Sequence, residues 1–194
     1  DAMSSRRLLA IGALTIVAIA AIGLVLLRAP RLSSRATATP RAASPSPTTP
    51  APPGRKIKAR LFYVADDGMR LTSVERDIAY GDGATAQARE IVAAQIAAVA
   101  APLVSAVPAG TALRAVFLTE GGEAYVDLSR EVVTAHPGGT LNELLTVYTV
   151  VNALTVNLPA VTAVQLLVDG KEVETLAGHV DLRQPLAKNL SWVQ

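Results

Sequence analysis

The 194-residue chain has no cysteine, two histidines and few aromatic residues: two Phe, four Tyr and one Trp. Without cysteine there is no disulfide, no thiolate metal site and no lipid attached through an N-terminal cysteine. His136 and His179 stand 43 residues apart, and nothing near either has an H-E-x-x-H spacing. Both read as structural or surface residues. So few aromatics leave little for stacking on sugar rings.

Charge is scarce where a membrane would need it to be. Residues 8–27, from Leu8 through Leu27, hold no charged side chain. At about 1.5 Å per residue that run spans about 30 Å, the thickness of a bilayer's hydrocarbon core. It predicts an uncleaved single-pass helix, with residues 1–7 as a short cytoplasmic terminus. Met3 reads as the natural start. Arg6 and Arg7 precede the run and Arg28, Arg31 and Arg35 follow it, so positive charge orients the segment poorly.

Residues 28–56 carry seven of the twelve prolines among Ser, Thr and Ala. Such a composition cannot bury enough apolar surface to fold. Partly extended by proline, it reaches at most roughly 90 Å and reads as a disordered spacer.

Before Ile57 there are eight basic residues and one acid; from Ile57 onward ten basic residues meet fifteen acids, a net charge of −5. The folded part is therefore acidic, the opposite of a nucleic-acid surface, and no nucleic-acid partner is expected. The basic spacer suits contact with headgroups or wall polymer, or simple solvation.

Residues 57–194 suit one α/β domain. Strands are predicted over 57–64, 71–80, 113–119 and 123–129, with a hairpin around Asp169-Gly170. A helix is predicted over 84–100, its Ala88, Val92, Ile96 and Val99 facing a sheet and Pro102 ending it. A second begins at Thr140, where Thr140 and Glu143 form a capping box. Its packing stripe reads Leu141, Leu144, Tyr148, Val151, Thr155 and Leu158. The order β-β-α-β-β-α-β-β predicts one mixed or antiparallel sheet with two helices packed on one face.

Signals for chemistry are thin. Ser129, His136 and Asp181 can be written as a triad, but the G-x-S-x-G elbow is missing. Asp127 and Glu131 form a possible carboxylate pair with no visible sugar groove. No glycine cluster has the spacing of a phosphate loop, and ADDGM lacks the calcium-loop pattern. No cofactor or metal is expected. Asp127, at a strand end among buried neighbours, is expected to accept backbone N–H groups.

Together these segments resemble the GerMN domain family of sporulation and spore germination proteins. LFYVADDGMRLTSVERDI places Phe62, Tyr63, Leu71 and Arg76 in the family pattern. Val107, Pro108, Gly110 and Thr111 match its V-P-x-G-T element, and Gly122, Val126, Asp127, Leu128 and Ser129 its V-D-L-S strand. Asn152, Leu154, Thr155, Val161, Val164, Gly170, Gly178, Asp181 and Pro185 continue the match, which covers nearly all of 57–190.

The resemblance implies a ring-building-like fold and a membrane-anchored, extracytoplasmic protein without a catalytic centre. It implies that the motif positions are structural. Family members also include a sporulation protein that helps to assemble a transenvelope complex. This chain departs from that protein in having one domain instead of two, no lipoprotein cysteine and a long proline spacer. The expectation is an envelope scaffold acting on other envelope proteins or on itself. A peptidoglycan-binding module and an envelope hydrolase built on Asp127, Glu131 or His179 are the alternatives.

Overall fold

The structure, a computed structural model, describes residues 54–194. The expected membrane segment at 8–27 and the spacer up to residue 53 lie outside the described residues. Among the described residues, no helix is long and apolar enough to cross a membrane.

Strands β1 (Lys56–Val64) and β2 (Leu71–Ala79) pair antiparallel, Lys56 opposite Ala79 and Val64 opposite Leu71. Alternation sends Ala59, Leu61 and Tyr63 to the core, while Lys58 and Arg60 stay outside beside Asp77 and Glu75. At its far end the hairpin is covered on both faces, and Phe62 is buried as well.

Helix α1 (Ala84–Ile96) follows β2 closely. A side chain at Gly81 would collide with the backbone of Ala86 and Gln87, so the first turn of α1 can press against the end of β2 only because residue 81 is glycine. The helix buries Gln87, Ala88, Ile91, Val92 and Gln95, a stripe at three- and four-residue spacing. Two of those five are amides, which the apolar reading of the stripe passed over. The helix also ends earlier than expected. Ala97 is already extended, well before Pro102, because the chain turns to lay Val104 beside β1, where Val64 N donates to Val104 O at 2.8 Å.

Strands β3 (Leu113–Leu118) and β4 (Glu123–Leu128) form a second antiparallel hairpin, with a register shift that leaves Arg114 unopposed. A short helix α2 (Glu131–Thr134) and the long helix α3 (Thr140–Asn157) carry the chain to β5 (Ala163–Val168), which runs parallel to β4. Strand β6 (Lys171–Glu172) turns back along β5, and β7 (Leu186–Ala187) pairs with its other end. Asp169 and Gly170 have φ of 50° and 76°, the left-handed pair of a type I′ turn.

The domain is therefore a mixed α+β fold with helices packed on sheet, but the sheet is split. β1 and β2 form a two-stranded sheet of their own, and β3 to β7 form the other. The expected single sheet is corrected here, and the reason is visible at the edge of β1. The outward N–H and C=O of Phe62 bond to Gln95 Oε1 and Nε2 at 2.8 and 2.7 Å. Those of Arg60 bond to Asn157 Oδ1 and Nδ2 at 2.8 and 2.7 Å. Thr149 Oγ1 donates to Phe62 O as well. Side-chain amides from α1 and α3 occupy the places that a third strand would take.

Helix α3 departs from expectation in two further ways. Its N-cap is Gly139 with no side-chain cap, because the Glu143 carboxylate turns into the protein. Its expected stripe is also misplaced: Leu141, Leu144, Tyr148 and Leu158 are only partly buried. Val151 and Thr155 of that stripe are buried, and the core also receives Leu145, Val147, Val150, Ala153 and Leu154, with Thr146, Thr149 and Asn152 among them. A helix covered nearly all round, by sheet, α1 and the C-terminal segment, has no single apolar stripe to read.

Gln95→Ala would leave the buried N–H of Phe62 without an acceptor, worth about 1–3 kcal/mol, and would take one of two donors from Phe62 O, which keeps Thr149 Oγ1. Urea unfolding should show a loss of roughly 2–4 kcal/mol. Asn157→Ala, at the exposed end of the same edge, should cost less.

Candidate functional site

The motif residues are dispersed through the domain, and their side chains serve mainly its own backbone. Asp127 is the clearest case. Its Oδ1 accepts from Gly170 N at 2.7 Å and its Oδ2 from Arg114 Nε at 3.1 Å. Arg114 also reaches Asp169 at 3.5 Å. The bulge that leaves Arg114 unopposed in β3 thus brings it to a carboxylate on β4 and one in the β5–β6 turn. Ser129 Oγ accepts from Ala112 N at 2.9 Å, which joins the end of β4 to the approach to β3.

The other matched positions behave alike. Tyr63 is fully buried, and its hydroxyl accepts from Arg76 Nη1 at 3.3 Å. Phe62 is buried and fixed through its backbone to Gln95. Thr111 donates to Pro108 O through both its hydroxyl and its N–H, around Gly110 at φ 84°. Asn152 is a two-way clasp: its Nδ2 donates to Asn189 O and its Oδ1 accepts from Asn189 N. Thr155 Oγ1 donates back to Val151 O within α3. Asp181 is exposed and holds Arg183, whose guanidinium keeps the carboxyl down at about 2.

Two buried polar groups outside the motif complete this pattern. Gln165 Nε2 donates to Leu182 O at 2.6 Å. Glu143, whose side chain is fully buried, accepts from Leu176 N and His179 N, both at 2.8 Å, and lies 3.2 Å from His179 Nδ1. Burial alone would raise its pKa. The N–H groups of Ala177, Leu176, His179 and Val180 together outweigh that and hold it below the ordinary 4.5. Among the described residues, no buried side-chain N or O lacks a partner.

His136 is fixed in one tautomer by its neighbours. Its Nδ1 accepts from Gly138 N at 2.9 Å, so Nε2 carries the proton and points it at Thr146 Oγ1, 3.2 Å away. Thr146 in turn donates to Ala106 O or Asn142 O. Burial lowers the pKa of this imidazole, and a proton on Nδ1 would displace Gly138 N–H.

None of the catalytic arrangements weighed in the sequence is assembled. Ser129, His136 and Asp181 are bonded to different partners in different segments. Asp127 binds Gly170 and Arg114, Glu131 is held below its ordinary pKa chiefly by the Ser129 hydroxyl, and His179 faces Glu143. None of these lines the groove of about 530 Å³ that lies among Ile96, Val99, Leu103, Val107, Pro108 and Pro137. Among the described residues, no three His, Asp or Glu side chains come together to hold a metal.

Residues 60–174 match the family described as Germane, sporulation and spore germination. The chain belongs to the Germane family. Germane domains are non-catalytic scaffold domains, and this one is not an enzyme. Two solved structures have a similar fold. One is a protein from Clostridium perfringens described as a lipoprotein, at 21% identity and TM-score 0.50, covering 69% of this chain and 88% of that one. The other is the tandem GerMN domains of the sporulation protein GerM from Bacillus subtilis, at 16% identity and TM-score 0.50. That match covers 69% of this chain and 46% of the tandem pair, so this chain spans about half its length. No curated protein matches the chain. The family match ends at residue 174, so Gly178, Asp181 and Pro185 lie beyond it.

Sequence reasoning found Asp127 as an acceptor of backbone N–H, placed Glu143 in a helix cap, and missed Gln87, Gln95, Asn157 and Gln165. The available signal was position: Gln87 and Gln95 fall on the buried stripe of α1, where a long polar side chain has to find a backbone partner.

Asp127→Ala should lower stability by about 1–3 kcal/mol in chemical unfolding, because Gly170 N–H loses its acceptor at a part-buried site. Acid should weaken the fold in two windows. The His136 pKa is depressed in the folded state, so the unfolded chain binds more protons as pH falls below 6.5, and stability is lost from there downward. The Glu143 pKa is also depressed, so its contribution is full above 4.5 and is lost as pH falls through the folded value. Thermal melts of His136→Asn should lack the first decline and keep the second.

Proposed function

We propose that this chain is a non-enzymatic assembly module of the bacterial cell envelope. Residues 8–27 hold it in the membrane as a single-pass anchor, residues from 28 to the start of β1 form the spacer, and the rest forms a GerMN domain outside the cytoplasm. The observation that carries the reading is how the domain uses its polar side chains. Asp127, Asn152, Gln95 and Glu143 are each bonded to backbone elsewhere in the domain, so the polar machinery holds a shape and leaves no convergent reactive set. The motif positions, including Arg76, Pro108 and Asp181, act in this reading as structural residues.

Support for the envelope setting comes from three sides. The family is one of sporulation and spore germination, a similar fold belongs to a protein described as a lipoprotein, and another belongs to a sporulation protein with two such domains in tandem. A domain repeated in tandem is suited to contacts with its own kind or with neighbouring modules. The apolar run of residues 8–27 replaces, in this reading, the lipid that a cysteine would carry. We extend the proposal to a role in sporulation or germination on the family description.

Fractionation and crosslinking of the full chain in a bacterial host test the proposal. The chain should sediment with membranes and resist extraction by salt, and deletion of residues 8–27 should release it. Added protease should reach the domain in spheroplasts but not in intact protoplasm-sealed vesicles of opposite orientation. Crosslinked species larger than the chain should appear in the membrane fraction. A full chain recovered wholly in the cytosol, or only ever as monomer, would overturn the anchor or the assembly role respectively.

A further inference from the structure

The two edges of the β1–β2 sheet are treated in opposite ways. From Arg60 to Val64 the β1 edge is closed by Gln95, Asn157, Thr149 and Val104. On β2 the register directs Thr72, Val74, Arg76 and Ile78 toward β1, and the N–H and C=O of Ser73, Glu75 and Asp77 outward. The phase is fixed at both ends by Leu71, which bonds outward, and by Tyr80, whose N–H goes to Arg55 O. No described residue bonds the outward backbone of Ser73, Glu75 or Asp77.

Both limits of this open stretch are marked. At one end Leu71 N donates to Trp192 O at 2.7 Å and Leu71 O accepts from Gln194 N at 2.9 Å, a parallel bridge to Val193. The chain's own C-terminal residues thus already bond to this edge through one parallel bridge. At the other end Ala79 O accepts from Gln87 Nε2. By contrast, the outer strand of the larger sheet, β3, carries the bulge at Arg114 and packs beside α1. A bulged edge accepts a neighbour poorly.

Charge selects what can join. Glu75 and Asp77 are exposed and share one face with Arg60 and Lys58, which stand directly opposite them; Lys58 Nζ lies 3.3 Å from Asp77. A strand added at the outer edge would set its own side chains on the far side of this acidic pair. Basic residues there continue an alternating row. A second copy of β2 would bring the same acids against themselves, which disfavours self-pairing. On the other face a groove of about 210 Å³ lies among Arg76, Ile78, Ala94, Ala98 and Val99, with room for small apolar side chains.

We propose that the open edge of β2 takes an extended segment of another protein, with Lys or Arg at alternate positions and small apolar residues between them. The segment joins the sheet as a strand, and its backbone bonds to Ser73, Glu75 and Asp77. This deepens the assembly reading and rests on it.

The test uses the full chain in detergent and a synthetic peptide of about eight residues that alternates Lys with Ala and Val. Amide hydrogen exchange followed by NMR should show new protection at Ser73, Glu75 and Asp77. Combining Glu75→Lys with Asp77→Lys should weaken binding about tenfold. Glu75→Pro, which removes one outward N–H, should weaken it while the thermal melt stays cooperative. Equal binding of a peptide with Glu in place of Lys would overturn the proposal. So would peptide-induced protection confined to other amides, or concentration-dependent protection of this edge with no peptide present. If the edge fails while crosslinked envelope species persist, the assembly reading stands without this surface; if both are absent, that reading falls as well.

Discussion

Two side-chain amides decide the architecture. Gln95 and Asn157 each offer one donor and one acceptor to the edge of β1, as a strand would, and so end the sheet there. A backbone edge buried without partners costs about 1–3 kcal/mol per group, so something has to satisfy it. Here helices do, and they can lie against β1 because the amides reach its backbone. The split into two sheets, the burial of α3 nearly all round, and the opposite state of the β2 edge all follow from that arrangement.

The same device recurs wherever regular pairing runs out. Residues 174–194 have little secondary structure beyond β7, yet they are fastened by three buried side chains. Glu143 holds Leu176 and His179, Gln165 holds Leu182, and Asn152 holds Asn189. An irregular segment buried without such partners would carry unsatisfied backbone. Each clasp comes from α3 or β5, the most buried elements of the domain. The tail is thereby fixed to the rigid part of the molecule, and its last residues reach β2.

Function follows from where polar groups are used up and where they are not. The carboxylates and imidazole of the types used in catalysis are bonded inside: Asp127 to a turn, Glu143 to a loop, His136 to Gly138 and Thr146. A Germane domain of this kind presents a shaped surface, and the contacts it makes depend on edges, grooves and the charge beside them. The acidic balance of residues 57–194 sets the sign of that surface.

The sequence by itself determined the local elements. The positions of β1 to β5, the Asp169-Gly170 turn and the beginnings of both long helices follow from alternation, turn chemistry and period, all of which act over a few residues. It also determined the family, because the order of short motifs survives reading along the chain, and it placed Asp127 as an acceptor of backbone N–H. Only the tertiary structure decided where α1 stops, which side of α3 is buried, that Glu143 leaves its helix cap for a distant loop, and that one expected sheet is two. Each of these depends on a partner about thirty or more residues away, such as Phe62 for Gln95 or Leu176 for Glu143. A polar side chain on a helix has the same local pattern whether it meets water or a buried strand edge, and only the fold brings the edge to it.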